Sequence, residues 1–354
     1  MKNPALSLAA ALILAGLSGC TSLGPRQLRA DQADYGRSLG DAKKREILSM
    51  IVGLRFADAP AFINVSNIIA GYTFTASGGP SLTLAQHDMN TAALTGTVSF
   101  GDNPTFTFTP TTGEAYAAAY IRPLSPTLVL PLADGGIPID LLLRITMQSI
   151  GGLQNGSMLG GEGAGGSPGF FELIRDLRSL QLAGEFSAEY RETNKVGHIW
   201  FVLGAAKGEP ERGEEALSGA RRLLGVQPGA AGYEVTMGPE SSSGTIAVSP
   251  RSMLAILSNL GAEVDVPPAE VSRGATMPTI QLVGGESRHT VVVHSGRKAP
   301  AGAYVATLYD GYAYWIDSGD FDSKYALTVV QDVMALAEVS DTTKAPVVTI
   351  PASP

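Results

Sequence analysis

A single cysteine constrains this chain more than any other residue. The 354-residue sequence contains one, Cys20. An exported form therefore has no disulfide framework, and its fold must rest on a hydrophobic core. Export is the reading of what precedes that cysteine. Residues 1–20 run MKNPALSLAAALILAGLSGC, with Lys2 as a positive start and an apolar stretch over 6–17. The stretch is too short to span a bilayer, which takes about 20 apolar residues. The combination reads as a secretory signal rather than a transmembrane anchor. No later segment is long and apolar enough to cross a membrane as a helix.

Leu17-Ser18-Gly19-Cys20 resembles a lipobox, with small residues before the cut and a cysteine whose thiol takes a diacylglycerol. The resemblance to lipoproteins implies that Cys20 becomes the mature N-terminus and carries covalent lipid, palmitate included. At about 0.8 kcal/mol per buried methylene, several acyl chains make such an anchor effectively permanent. The alternative is an ordinary signal peptide that happens to end in Gly-Cys. A leftover lone thiol would be a liability to an exported protein, whereas a lipidated one has a use. Position 21 is Thr rather than Asp. By resemblance to sorted lipoproteins of two-membrane bacteria, this favours the outer membrane with the body in the periplasm. Inner membrane and cell surface are the alternatives.

About 335 residues remain after the signal, enough for two domains. Hydrophobic residues make up 44% of the chain, so a core can form. The formal net charge is −8, which argues against nucleic acid or anionic headgroups, since both need basic patches. A periplasmic location also argues against a nucleotide cofactor.

The organisation follows from periodicity and punctuation. A signal peptide (1–19) and a lipidated polar tether (20–40) precede an N-terminal α+β domain over 41–150. There Ile47, Ile51 and Leu54 share a helix face, and Pro60 ends the helix. Residues 62–75 read as a strand with a break at Gly71, and 94–100 with 105–109 as a hairpin. Residues 112–122 and 138–150 read as helices. A glycine-dense linker or loop over 151–169 leads to a C-terminal α+β domain, 170–339, and a disordered tail, 340–354. Ser167-Pro168 opens a helix, with Ser167 as N-cap, and Ser249-Pro250 opens another, closed by Gly261. Strands are expected at 185–191, 198–203, 231–237 and 244–248, with a helix over 209–224. The clearest hairpin joins 304–309 to 312–316 through Asp310-Gly311, which suits a type I′ turn. A last helix, 322–338, is capped by Asp320 or Asp322. Hairpins interleaved with helices predict an α+β fold with antiparallel sheets rather than a doubly wound parallel sheet.

Several motifs match catalytic patterns without their contexts. Gly165-Gly166-Ser167-Pro168-Gly169 fits G-x-S-x-G, but a glycine tract replaces the strand a nucleophile elbow needs. Residues 161–166 fit G-x-G-x-x-G, again without the preceding strand. Ser295 to Lys298 fits S-x-x-K, but Ala299-Pro300 follows where a helix is required. His289 and His294 are an odd number of residues apart in an expected strand, so they face apart and cannot readily share a metal. No catalytic residue and no metal site is therefore assigned. Asp317, Asp320 and Asp322 lack the EF-hand pattern and read as helix-capping residues or a weak ion site. Tyr312, Tyr314 and Trp315, with Tyr309, read as cross-strand core pairs or a sugar-stacking face.

Residues 45–74, REILSMIVGLRFADAPAFINVSNIIAGYTF, resemble a segment of an uncharacterised family of bacterial outer-membrane lipoproteins. The signature is LRxxDAPxFxxVS, a helix running into a strand. NPTFTFTPTTGEAY (103–116), SPRSMLAILSNLGAEVDVP (249–267) and YDGYAYWIDSGDFDSKYAL (309–327) fit the same resemblance, so it spans most of the mature chain. This chain departs from it in the small residues around 115–119. The resemblance implies a lipoprotein but carries no activity, cofactor or catalytic residues.

The resulting expectation is a membrane-anchored periplasmic lipoprotein, a non-enzymatic envelope assembly or accessory component that binds protein partners. The alternative is a glycan-binding or glycan-processing protein using Tyr312, Tyr314 and Trp315 beside Asp317, Asp320 and Asp322. That alternative needs a concave pocket where those aromatics meet those aspartates.

Overall fold

A computed structural model describes residues 23–60, 62–69, 72–83, 91–102, 105–156, 166–204, 210–228, 232–242, 244–280, 282, 286 and 288–338. Cys20 and the 340–354 tail lie outside the described residues, as do positions 161–165 of the glycine tract. The chain forms two compact units. One is Ala61–Ala117; the other is the chain up to Pro60 and from Ala118 onward.

The smaller unit holds β1 (Ile63–Ile69), β2 (Tyr72–Thr83), β3 (Thr91–Asp102) and β4 (Thr105–Pro110), then a short helix over Gly113–Tyr116. Gly71, where a break was expected, lies outside the described residues. The expected hairpin of 94–100 with 105–109 does not form. β3 pairs instead with β2 over the full run from Tyr72↔Asp102 to Thr83↔Thr91, and β4 pairs with β1. Each ladder is antiparallel. The hydroxyls of Ser77 and Thr97, opposite each other, lie 2.7 Å apart.

The larger unit opens with α1 (Leu23–Arg55). The helix expected from Asp41 thus begins at Leu23, within the segment read as a tether. The intervening residues contain only one proline, Pro25, and it falls in the first turn, where a missing N–H is tolerated. The helix buries Ile47, Leu48, Ile51 and Val52.

After the short helix α2 (Gly113–Tyr116) and a wider turn come α3 (Pro126–Val129), α4 (Ile139–Thr146), β5 (Met147–Ile150) and β6 (Leu153–Gln154). The helix expected over 138–150 therefore gives its last four residues to a strand. Next are α5 (Pro168–Leu182), β7 (Phe186–Thr193), β8 (Val196–Leu203), α6 (Pro210–Leu224), β9 (Tyr233–Met237) and β10 (Thr245–Pro250). Phe170, Ile174, Leu177 and Leu180 of α5 are all buried, as their spacing predicts.

These strands form one six-stranded sheet in the order β6-β5-β10-β9-β8-β7. Strands from before and after the glycine tract share it, with β5 paired to β10. The residues flanking the tract thus belong to one unit, and the compact units divide at Pro60 and Ala118 rather than between 41–150 and 170–339. The sheet is mixed. β9 and β10 run parallel, with Thr245↔Glu234 and Val248↔Met237. Parallel neighbours usually need a crossover of a dozen or more residues, yet 238–244 suffice here. The Gly238 N–H donates to the Val248 carbonyl at 3.0 Å, and the Ala247 N–H donates to Ser241 Oγ at 3.0 Å.

The chain ends with α7 (Met253–Ala262), α8 (Pro268–Ser272), β11 (His294–Gly296), β12 (Val305–Tyr309), β13 (Tyr312–Ile316) and α9 (Phe321–Ala337). The last three strands form a sheet ordered β11-β13-β12. Two details of α7 correct the sequence reading. Ser249-Pro250 closes β10, and the N-cap is Ser252, whose hydroxyl accepts from the Ala255 N–H at 3.2 Å. Gly261 lies inside the helix rather than ending it. The architecture is α+β.

Candidate functional site

The hairpin singled out by the sequence has the predicted register. Tyr309 faces Tyr312 and Thr307 faces Tyr314. Asp310 and Gly311 have φ of 45° and 78°, the paired positive values that a type I′ turn requires. The aromatic side chains part company, however. Tyr314 is 0% exposed, and its ring meets Phe56 edge-on at 6.2 Å while Tyr309 stacks on Phe56 at 4.7 Å. Tyr312 sits under the Arg297 guanidinium, 4.6 Å away. Trp315 alternates to the other face of the strand. There it lies 5.7 Å from His294, and its Nε1 donates to Asp317 Oδ1 at 3.1 Å. His294 Nε2 stands 3.3 Å from Asp317 Oδ2.

The three aspartates do separate work. Asp320 caps α9, accepting from the Ser323 N–H at 3.1 Å and from Ser323 Oγ at 2.6 Å. Arg288 Nη2 donates to both its oxygens, at 2.8 and 2.7 Å. Burial pushes the Asp320 carboxyl up, but the hydrogen bonds from Arg288 and Ser323 outweigh it and hold the pKa at about 2. Asp322 is exposed and pairs with Arg288 Nη1 at 2.9 Å. The structure therefore brings Asp317 to Trp315, commits Asp320 to a cap, and buries Tyr314. Arg288, the partner of two of these aspartates, carried no sequence signal beyond its charge.

The other motifs resolve locally. Ser167 stands at the N-cap of α5, but its hydroxyl donates to the Gln154 carbonyl at 3.2 Å instead of capping. Ser295 sits in β11 opposite Tyr314. The expected 289–294 strand forms only from His294. Glu263 takes the N–H groups of Thr290 and Val291, and Ser323 Oγ takes that of Val292, so a ladder cannot use them. His198 Nδ1 lies 2.6 Å from Glu234 Oε1 across the sheet. Among the described residues no group of three His, Cys, Asp or Glu side chains is placed to hold a metal.

A cavity of about 430 Å³ lies outside every catalytic pattern matched in the sequence. Its wall includes Arg144, Asn155, Arg251 and Glu263 with Phe171, Ile256 and Leu260. Arg251, the first residue after β10, is 6% exposed. Its Nε donates to Gln148 Oε1 at 3.2 Å, Nη1 to the carbonyls of Arg144 and Ile145 at 3.0 and 3.4 Å, and Nη2 to the Gly156 carbonyl. Asn155 Nδ2 donates to the carbonyls of Arg144 and Met147, each at 2.8 Å. Together these side chains satisfy carbonyls that the end of α4 leaves open. Loss of hydration lowers the Arg251 guanidinium to about 10.

Arg144 pairs with Glu286, and Glu263 accepts from the Thr290 N–H at 2.7 Å and Thr290 Oγ1 at 3.0 Å. The sequence hint was that Arg251 is the single charged residue in the run 246–257. A second, open depression of about 560 Å³ lies between α5 and α6, with Glu172, Asp176, Glu215 and Arg222 on its rim. Burial raises the Asp176 carboxyl there. Neither cavity is lined by Tyr312, Tyr314, Trp315 or the 317–322 aspartates. No protein-family model, no curated protein and no solved structure matches this chain.

Proposed function

We propose that this chain is a periplasmic lipoprotein, held at the outer membrane by lipid on Cys20, that works by binding rather than by turnover. Its place is that of an envelope assembly or accessory component. The observation that carries the binding reading is the cavity beside Arg251. Its polar wall is prebuilt: Arg251, Asn155 and Glu263 are each held by several hydrogen bonds to neighbouring backbone or side chains. Groups locked in this way recognise a ligand without reorganising, which lowers the cost of binding. The anchor rests on the signal-like segment ending in Cys20, and the resemblance to bacterial lipoproteins supports it. A permanently anchored chain meets other envelope proteins, which are its expected partners, and its charge of −8 is unsuited to nucleic acid.

The test is gentle detergent extraction of the mature protein, for wild type and Cys20→Ala, with intact mass and co-purification read together. An acylated mass lost in the variant, with a stoichiometric envelope partner, is expected. An unacylated, solitary protein in the soluble periplasmic fraction refutes the proposal.

A second reading, glycan binding, retains one local observation. Trp315 is half-exposed beside His294 with its Nε1 fixed by Asp317, and a tryptophan held at the surface can stack on a sugar ring. Trp315→Ala should abolish retention on cell-wall glycan if this reading holds, and leave it unchanged otherwise.

A further inference from the structure

The cavity beside Arg251 has a charge pattern that selects among ligands. At about 430 Å³ it has the size of a small-molecule site. One part of its wall is hydrocarbon from Phe171, Ile256 and Leu260, and another carries the guanidinium groups of Arg144 and Arg251 with the carboxylate of Glu263. The charge of Arg144 is answered by Glu286.

Arg251 has no such answer. Its acceptors are one amide oxygen and three backbone carbonyls, all neutral. A guanidinium has five N–H groups, so at least one is left without an acceptor among the described residues. Glu263 bears on Arg251 only through space. Among the described residues its Oε2 accepts from the Thr290 and Val291 N–H groups and its Oε1 from Thr290 Oγ1 alone, which leaves Oε1 acceptor capacity. A buried cation of this kind favours the arrival of an anion, and charge-assisted hydrogen bonds to guanidinium are the strong ones. Glu263 in the same wall sets a limit, because it repels a second negative charge and can still accept a hydrogen bond.

We propose that this cavity binds a small monocarboxylate with an apolar body, its carboxylate on Arg251, its hydrocarbon against Phe171, Ile256 and Leu260, and an N–H or O–H near the carboxylate donating to Glu263. This inference rests on the binding reading above and names the ligand class. Free acids and the ends of short peptides share the chemistry. Dianionic phosphate monoesters do not, since Glu263 opposes them.

The experiment is calorimetric titration of the detergent-extracted mature protein with N-acetyl-leucine, N-acetyl-leucinamide, a leucine-terminated tripeptide and butyl phosphate. N-acetyl-leucine should bind at least about tenfold more tightly than its amide, the loss expected for one charge-assisted bond. The tripeptide tells whether the cavity admits a peptide end or only a free acid, and tighter binding of either carboxylate than of the amide supports the class. Glu263→Gln should admit butyl phosphate, which the wild type excludes.

Arg251→Lys removes structural hydrogen bonds along with the guanidinium, so Ile280→Phe, which narrows the cavity without removing a polar group, serves as the second variant and should weaken the acid at unchanged thermal stability. Equal affinity for acid and amide, or no binding of either carboxylate, overturns the ligand class. Conversion of the amide to the acid during the titration, seen by proton NMR, overturns the class and marks failure of the binding reading itself. Retention of a co-purified partner by a protein that ignores every carboxylate overturns the class alone.

Discussion

Gly261 of α7 lies directly against the carbonyl oxygen of Ile51 in α1, where a Cβ would come within 2.9 Å of that oxygen and 3.4 Å of the Arg55 nitrogen. The two helices approach this closely because position 261 has no side chain. Neither contact is with a flexible side-chain tip, so an added methyl must push backbone. Gly261→Ala should therefore destabilise the protein by about 1–3 kcal/mol, more than the helix-propensity gain of up to about 1 kcal/mol offsets. Gly40, also helical, has nothing within 4 Å of a built Cβ. Gly40→Ala should stabilise by about 0.5–1 kcal/mol. Urea midpoints of the two variants should move in opposite directions, and movement in the same direction would contradict the packing described.

Asp320 makes stability depend on pH in a definite window. Its folded pKa, about 2, lies below the ordinary 3.8. A depressed carboxyl contributes stability that is present above the unfolded value and lost as pH falls through the folded one. The contribution, about 2 kcal/mol at neutral pH, should fade between pH 4 and pH 2. Asp320→Asn should show that deficit at pH 6 and nearly none at pH 2. A deficit of the same size at both pH values would mean that the cap, and not the charge pairing with Arg288, does the stabilising.

The outline of the fold was legible where local chemistry decides it. Asp310-Gly311 demanded two positive φ values and obtained them, and Ser167-Pro168 marked the start of α5. Reading failed where strands choose partners at a distance. Thr105–Pro110 alternates as a strand should, but nothing in the six residues says that its partner is Ile63–Ile69 rather than the nearer 94–100. The parallel pairing of β9 and β10 was hidden for the same reason, since a seven-residue connection ordinarily signals a hairpin.

The candidate site was less legible than the fold because its members are scattered. Arg144, Asn155, Arg251 and Glu263 come from a helix end, a strand end and two helix borders, and no motif links them. The aromatic hairpin, in contrast, was conspicuous in sequence because its residues are adjacent. Alternation then sent Tyr314 into the core and Trp315 to the other face.

Asn155 should be as important to stability as any apolar core residue. It is 4% exposed, and its amide serves the Arg144 and Met147 carbonyls while its oxygen accepts from the Gly156 N–H at 2.8 Å. Asn155→Ala strands buried backbone groups and should cost about 2–3 kcal/mol. Hydrogen exchange provides the local check: amides of β5 and the last turn of α4 should lose protection ahead of those of α9. Uniform loss across the unit would show that Asn155 does not act at the α4 end.

Two tyrosines on one hairpin should respond oppositely to losing their hydroxyls. Tyr309 donates to Asp58, so Tyr309→Phe should destabilise by about 0.5–1.5 kcal/mol. The Tyr314 hydroxyl is buried and without a hydrogen-bond partner among the described residues, as is Nε of Arg55. Deleting an unsatisfied buried hydroxyl relieves a desolvation cost, so Tyr314→Phe should be neutral or stabilising by up to about 1 kcal/mol. Burial raises both phenols to about 12 from 10.0. A raised phenol contributes stability that is whole below pH 10 and lost as pH climbs through 12. Absorbance titration at alkaline pH should accordingly show tyrosines ionising late in wild type, one fewer of them in Tyr314→Phe, and less alkaline destabilisation in that variant. A Tyr314→Phe protein that is markedly less stable at neutral pH would mean that the hydroxyl has a hydrogen-bond partner in the folded protein.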